Sequence, residues 1–173
     1  ASTDSATKRT PPDTTPPYYH YSTHGYTLLG AAIEHAMNVP ISEVINSYMG
    51  AGIGLSTLRA EDRRVANSFR TKVFFNNSVK TADNISWKVL GGGLEASVEE
   101  IALFSGKLMG GEILSPASLQ ILWTAPDNPR SWHYAMGWNS FRNRNSQNVL
   151  SVMKSGLQLG ADTHLRLFPD LEL

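Results

Sequence analysis

The sequence contains no cysteine among its 173 residues. This absence excludes disulfide bonds, thiolate nucleophiles and cysteine-ligated metal sites. No run of eighteen apolar residues occurs either, so no segment is predicted to cross a membrane as a helix. Neither sign of charge is in excess, because fifteen Lys and Arg balance fifteen Asp and Glu. A chain without a net positive field is not predicted to bind nucleic acid or an anionic membrane.

Metal and cofactor motifs are also missing. The sequence has no zinc, EF-hand or phosphate-loop pattern, and its five histidines lack the spacing of metal ligands. We therefore expect no metal and no cofactor.

The chain falls into segments of different composition. Residues 1–17 are rich in Ser, Thr and Pro, which predicts an extended or disordered lead-in. Residues 18–123 are predicted to be mainly helical, and residues 124–173 to form antiparallel strands. An apolar stripe indicates a first helix from about Tyr26, and Asn38 and Pro40 predict its end. Residues 42–48 indicate a second helix, the glycine-rich residues after it a loop, and Val73–Phe75 a small strand. The stripe consists of Leu28, Leu29, Ala32, Ile33 and Ala36.

Local signals define the later elements. Ser97 and Glu100 have the spacing of a capping box, and Gly110-Gly111 predicts the end of that helix. Ser115-Pro116 predicts the start of another helix. After Trp123, period-two segments that start at His133, Asn148 and Thr163 are separated by polar turns, which predicts a three-strand antiparallel meander. Helices followed by strands indicate an α+β fold.

Three short stretches carry groups that could do chemistry: YSTHGYTLLG (21–30), VLGGGLEASVEEIALF (89–104) and MKSGLQLGADTHLRLFPD (153–170). Each alone is typical of ordinary packing or turns. In this order they resemble the serine β-lactamase and penicillin-binding-protein superfamily, and within it the class C-like branch with its esterases, D-aminopeptidases and LACTB-type proteins. The resemblance covers residues 18–170.

The residues that carry the resemblance fall into three groups. The Tyr-x-Asn element and the residues after it match Tyr21-Ser22-Thr23, Gly25-Tyr26 and Leu28-Leu29-Gly30. The Gly-Gly-Leu turn matches Gly92-Gly93-Leu94. The Lys-Thr-Gly strand and its sequel match Lys154-Ser155-Gly156, Gly160 and Phe168-Pro169.

The resemblance implies a role for each matched residue. Tyr21 would be the phenolate base that takes the proton of a serine nucleophile, and Lys154 a cation that favours the phenolate. Ser155 and Gly156 would bind the substrate, and the N–H of Leu157 would be half of the oxyanion hole. Thr23 stands where Asn is usual, which weakens the prediction of antibiotic-lactam chemistry. Lys-Ser-Gly keeps the hydroxyl of Lys-Thr-Gly.

The nucleophile motif, Ser-x-x-Lys, occurs twice, and neither copy fits the family pattern. Ser5 and Lys8 lie in the proline-rich lead-in, and Ser5 is only 16 residues before Tyr21. Ser151 and Lys154 lie on a predicted strand, where positions i and i+3 face opposite sides. We therefore expect a fragment that lacks the Ser-x-x-Lys helix and is inactive alone, with the missing N-terminal part of the fold as a separate chain or segment.

Two alternatives stay open from the residues. The chain could be a non-catalytic relative that binds a ligand or builds a structure, or a helical-plus-strand domain with a chance match. The resemblance implies a small-molecule or peptide acyl substrate and favours an exported or periplasmic protein. Four aromatic residues are candidates to line a pocket, although packing is their more common role: Trp87, Trp132, Tyr134 and Trp138.

Overall fold

The computed structural model describes residues 21–68, 70–81, 83–126, 133–143, 148–159 and 161–171. The lead-in, including Ser5 and Lys8, lies outside these residues, as do Gly160 and Trp132. The α-helices are α1 (Thr23–Met37), α2 (Ile41–Glu43), α3 (Val98–Met109) and α4 (Pro116–Trp123). The strands are β1 (Arg59–Ala60), β2 (Val73–Phe75), β3 (Ser78–Lys80), β4 (Leu94–Glu95), β5 (Asn139–Arg142), β6 (Val149–Gln158) and β7 (Ala161–Leu167).

The described residues form two compact units. The first contains residues 21–103 and 157–162, and the second contains residues 104–156 and 163–171. Helices precede the three-strand sheet β5-β6-β7, so the predicted α+β class and the meander are confirmed. None of the helices in the described part of the chain is long and apolar enough to cross a bilayer.

Helix α1 begins three residues earlier than predicted. The Ser22 hydroxyl caps it by accepting a hydrogen bond from the N–H of Gly25 at 2.9 Å. It ends where predicted, because Asn38 adopts a left-handed conformation and Pro40 follows. The predicted apolar stripe is not the packed face: Leu28, Leu29, Ala32 and Ala36 are exposed. Helix α1 instead packs against the 3-10 turns Ser86–Gly91.

Small residues allow this packing. A Cβ on the buried Gly30 would lie 3.6 Å from the side chain of Leu90, an ordinary contact. A Cβ on Gly91 would lie 2.8 Å from Thr23 Cγ2 and 3.0 Å from the Thr23 carbonyl oxygen. These distances are too short for any residue but glycine, so Gly91 fixes how closely the turn approaches the start of α1.

The helix after α1 is longer than predicted. Helix α2 continues into a π-helical segment, Val44–Gly50, and then a 3-10 turn, Ala51–Ile53, where the sequence predicted a glycine-rich loop. Ile45, Ala60 and Val89 form a small buried cluster in the first unit. Val73–Phe75 is a strand, as predicted, and it pairs with β3, a strand that was not predicted. The turn between them is Asn76-Asn77, whose φ angles of 49° and 59° suit a tight hairpin.

An ion network fixes the loop between β1 and β2. Arg70 donates two hydrogen bonds to the carboxylate of Glu95, at 2.7 and 2.8 Å, and Arg59 donates a third at 2.8 Å. Arg70 also donates to the carbonyl oxygens of Val65 and Asp62. Burial alone would raise the pKa of Glu95, but the hydrogen bonds from Arg70 and Arg59 lower it. The carboxylate thus stays ionised and binds both arginines.

Glu100 has a different role from the predicted one. Ser97 does cap α3, since its hydroxyl accepts from the N–H of Glu100 at 3.2 Å. The carboxylate of Glu100, however, accepts five hydrogen bonds of 2.6 to 2.9 Å from residues 56–58. The N–H of Ser97, its expected partner in a capping box, donates to the Thr57 hydroxyl instead. Glu100 therefore binds a distant loop to the start of α3.

The second unit has one main core. Its buried residues come from α3, α4, β6 and β7: Leu108, Leu119, Trp123, Val152 and Leu167. Helix α4 begins as predicted, with the Ser115 hydroxyl as cap and Pro116 as its first residue. Strand β5 starts at Asn139 rather than at His133, because His133 takes a φ of 60° and the chain turns there.

The hydrogen bonds of Glu100 predict a pH-dependent stability. Burial alone would raise the pKa of Glu100, but hydrogen bonds from Thr57 and Ser56 outweigh it and lower the pKa from 4.5 to about 2. The ionised form is favoured by folding, so its contribution is complete above pH 4.5 and is lost as the pH falls toward 2. We expect Glu100→Gln to lower the melting temperature, with a difference from wild type that shrinks over this range.

Thermal unfolding followed by circular dichroism at several pH values measures this difference. Glu99→Gln is the matched control, because it removes the same charge from the same turn at an exposed position. If the two variants unfold alike at neutral pH, the loop contact of Glu100 contributes nothing.

The close approach at Gly91 predicts a second stability effect. Gly91→Ala should lower the free energy of unfolding by about 1 to 3 kcal/mol, because the new methyl group overlaps Thr23. Gly106→Ala is the opposite control: Gly106 lies within α3 with no atom within 4 Å of its added Cβ, so alanine should stabilise by about 0.5 to 1 kcal/mol. Chemical denaturation measures both, and equal effects would contradict the steric argument.

Candidate active site

Tyr21 and Thr23 lie at the start of α1. Tyr21 precedes the capping Ser22, and 68% of its surface is exposed. Thr23 is the first helical residue and is half-buried. Its carbonyl oxygen accepts a hydrogen bond from the Thr27 hydroxyl at 3.1 Å, and its methyl group faces Gly91. The phenol of Tyr21 is therefore accessible, while Thr23 is fixed by its neighbours.

Parts of all three sequence motifs meet within the first unit. Thr23, of the first motif, touches Gly91, of the second. Gly92 has a φ of 125°, and a Cβ there would lie 2.8 Å from the Gln158 side-chain nitrogen, which comes from the third motif. Gln158 in turn accepts a hydrogen bond from Lys88 at 3.3 Å. The glycine turn thus lies close to both the start of α1 and the end of β6.

Lys154 lies in the second unit and is half-buried on β6. Its ammonium donates to the phenol oxygen of Tyr134 at 2.5 Å and lies 5.1 Å from the centre of that ring. No carboxylate of the described residues lies within 4 Å of the ammonium. The ammonium of Lys154 is therefore oriented by a phenol rather than by a carboxylate.

The contact between Lys154 and Tyr134 is not predictable from the sequence. Tyr134 was only a candidate for pocket lining, and 20 residues separate it from Lys154. The contact depends on the pairing of β5 with β6, in which Asn139 is opposite Met153. Tyr134 itself forms a bridge with Asn139 ahead of β5. No local signal in the sequence could have placed the two side chains together.

The residues after Lys154 are open to solvent. Ser155, Gly156 and Leu157 are exposed on β6. A Cβ on Gly156 would lie 2.9 Å from the Thr163 hydroxyl, which donates to the Gly156 carbonyl oxygen at 3.3 Å. Glycine at this position thus leaves room for a hydroxyl from β7.

Ser151 and Lys154 are not a catalytic pair. Ser151 is buried, and its hydroxyl accepts hydrogen bonds from Arg166 at 3.1 and 3.3 Å. Both residues lie on β6, where a separation of three places side chains on opposite faces. The structure confirms the prediction that this Ser-x-x-Lys match lies on a strand. Ser151 has a structural role in holding Arg166.

The chain is similar to curated proteins of the serine β-lactamase-like kind. No protein-family model matches the chain. Two curated relatives, from human and mouse, are both named serine beta-lactamase-like protein LACTB, mitochondrial. Each is 24% identical to this chain over a match that covers 87% of it. The match covers 33% of the human and 32% of the mouse protein. The chain therefore spans about a third of the length of the curated relatives it matches.

Solved structures share the fold. A penicillin binding protein from Bacillus halodurans superposes with a TM-score of 0.70 at 19% identity, over 92% of this chain and 52% of that one. A D-amino acid amidase from Ochrobactrum anthropi SV3, complexed with D-phenylalanine, has a TM-score of 0.58 at 19% identity, over 86% and 54%. These matches show that the chain has the α+β fold of the penicillin binding protein and the D-amino acid amidase, and its curated relatives are serine beta-lactamase-like proteins.

Proposed function

We propose that the chain supplies the base and the substrate-binding strand of a serine hydrolase. The enzyme acylates a serine with an ester, amide or lactam and then transfers the acyl group to water or another acceptor. The observation that supports this most directly is the meeting of the three motif segments at the glycine turn, through Thr23, Gly92 and Gln158. These segments are distant in sequence, and a chance match would give no reason for them to touch.

In this proposal Tyr21 is the general base. Its phenolate takes the proton of the serine hydroxyl as the serine oxygen bonds to the acyl carbon, and the phenol then returns the proton to the departing oxygen or nitrogen. A free phenol titrates near pH 10, so the phenolate needs a nearby cation at neutral pH. Lys154 is a suitable cation, because the Tyr134 phenol orients its ammonium and no carboxylate of the described residues lies within 4 Å of it.

The strand that carries Lys154 also presents donors to the substrate. The exposed Ser155 hydroxyl would bind a substrate carboxylate or carbonyl, and the Leu157 N–H would form half of the oxyanion hole. Gly156 keeps this edge free of a side chain. Thr23 would contribute its hydroxyl where relatives of the class C-like branch have an amide.

The nucleophile in this proposal comes from a Ser-x-x-Lys helix other than Ser5–Lys8 or Ser151–Lys154. The burial of Ser151 argues against the second pair. The share of the LACTB proteins that the chain spans, about a third, is consistent with a further segment or a partner chain that carries the serine. The residues described here would then be inactive alone.

Covalent labelling of the full-length protein tests the proposal. The probes are a fluorophosphonate and a fluorescent penicillin. Both form a covalent bond with a nucleophilic serine, so the natural substrate need not be known. Tyr21→Phe should slow labelling by roughly 10²- to 10⁴-fold, because it removes the base but not the nucleophile. Lys154→Met should also slow it, since the phenolate loses its cation.

Tyr48→Phe is the matched control, because Tyr48 is also exposed but lies in the π-helical segment after α2. It should label at the wild-type rate. If neither probe labels the folded full-length protein, the alternative is favoured: a non-catalytic relative that binds a ligand or builds a structure. Labelling unchanged by Tyr21→Phe would remove the base role and leave the nucleophile.

A further inference from the structure

A tryptophan and a lysine that no motif includes lie beside the glycine turn. Trp87 is 55% exposed, although it is one of the largest apolar side chains of the chain. The centre of its ring lies 5.7 Å from that of His24, on the first turn of α1. The Lys88 ammonium lies 5.7 Å from the centre of the same ring. Trp87 therefore forms an apolar surface next to the helix start that carries Tyr21 and Thr23.

Lys88 is held in place by an amide, with no carboxylate partner among the described residues. It is half-buried, and its ammonium donates to the side-chain oxygen of Gln158 at 3.3 Å. An ammonium has three N–H donors, so this bond leaves donor capacity for a ligand. No carboxylate of the described residues lies within 4 Å of it. A half-buried cation with an amide as its partner is well suited to accept an anion.

The position of Lys88 depends on a motif residue. Gln158 reaches Lys88 only because Gly92 has no Cβ, which would lie 2.8 Å from the Gln158 side-chain nitrogen. The positive φ of Gly92 also disfavours any other residue. The same glycine turn that brings the motif segments together thus orients the lysine. An ordinary surface cation–aromatic pair lacks such a tether.

We propose that Trp87 and Lys88 form a subsite that selects acyl substrates bearing a carboxylate next to a planar or apolar group. The apolar group packs on the exposed indole, and the carboxylate accepts hydrogen bonds from the Lys88 ammonium. That this ligand is a substrate rests on the proposed function, but its binding at the subsite needs no nucleophile. Its location beside Tyr21 and Thr23 would place the non-reacting part of the substrate there.

Binding of hippurate to the 173-residue chain tests the subsite, because hippurate carries both a benzoyl group and a carboxylate. Hippuramide is the neutral counterpart with the same ring. Isothermal titration gives the affinities, and the indole N–H signal of Trp87 in ¹H–¹⁵N spectra locates the ligand. We expect millimolar or tighter binding of hippurate, a shift of the Trp87 signal, and weaker binding of hippuramide.

The variants separate the charge from the ring. Lys88→Met keeps the length of the side chain and should weaken hippurate roughly tenfold, which abolishes the preference over hippuramide. Trp87→Ala should weaken both probes by roughly fivefold, and Trp87→Phe should restore most of the binding. Lys80→Met, which removes an exposed charge from β3, should change neither affinity.

Each outcome bears on the inference. Equal affinities for the two probes, absence of hippurate binding at millimolar concentration, or binding that survives both Lys88→Met and Trp87→Ala would each overturn it. Serine labelling of the full-length protein is independent of these measurements. If labelling fails while hippurate binds as expected, the subsite stands and the catalytic proposal is wrong; the reverse result removes the subsite alone.

Discussion

The close approach of Gly91 to Thr23 is the contact on which the first unit depends. The 2.8 Å between a Cβ at Gly91 and Thr23 Cγ2 leaves no room for any side chain, so the turn lies against the first residue of α1. This approach sets the position of Trp87 beside His24 and, one glycine later, of Gln158 beside Lys88. Packing at this density transmits any displacement of the turn to all of these side chains.

The second unit uses glycine in the same way at Gly156. There the absent Cβ leaves space for the Thr163 hydroxyl, and the backbone of β6 is covered by a small polar group rather than by a bulky one. Gly91 lies in the glycine turn beside Thr23, and Gly156 lies two residues after Lys154 on β6. Both glycines have a steric reason in this chain, because a Cβ at either position would lie within 2.9 Å of a threonine side chain.

The sequence was most informative where the determinant is local. The caps at Ser97 and Ser115, the end of α1 at Asn38 and the strand periodicity after Trp123 each depend on a few adjacent residues, and each of these predictions is confirmed. The three sequence motifs also lie in the segments that meet at the glycine turn. Neither kind of signal requires knowledge of what packs against the element.

Prediction failed where the partner is distant in sequence. Glu100 has the spacing of a capping box, yet its carboxylate binds residues more than 40 positions away, because five donors outweigh one. The apolar stripe of α1 correctly indicated a helix but not its packed face. That face depends on the turn at Gly91, against which the helix packs. Lys154 and Tyr134 meet only through strand pairing.

The pairing of charges separates structural cations from those with a proposed role in the site. Arg59 and Arg70 bind Glu95, and Lys107 binds Glu112, so their charges are largely cancelled. Lys88 and Lys154 instead donate to an amide and to a phenol, and no carboxylate of the described residues lies within 4 Å of either ammonium. Burial of a cation without a counter-ion costs stability, since it removes part of the hydration of the charge. In the proposed function and the proposed subsite, a phenolate or an anionic substrate group would offset that cost.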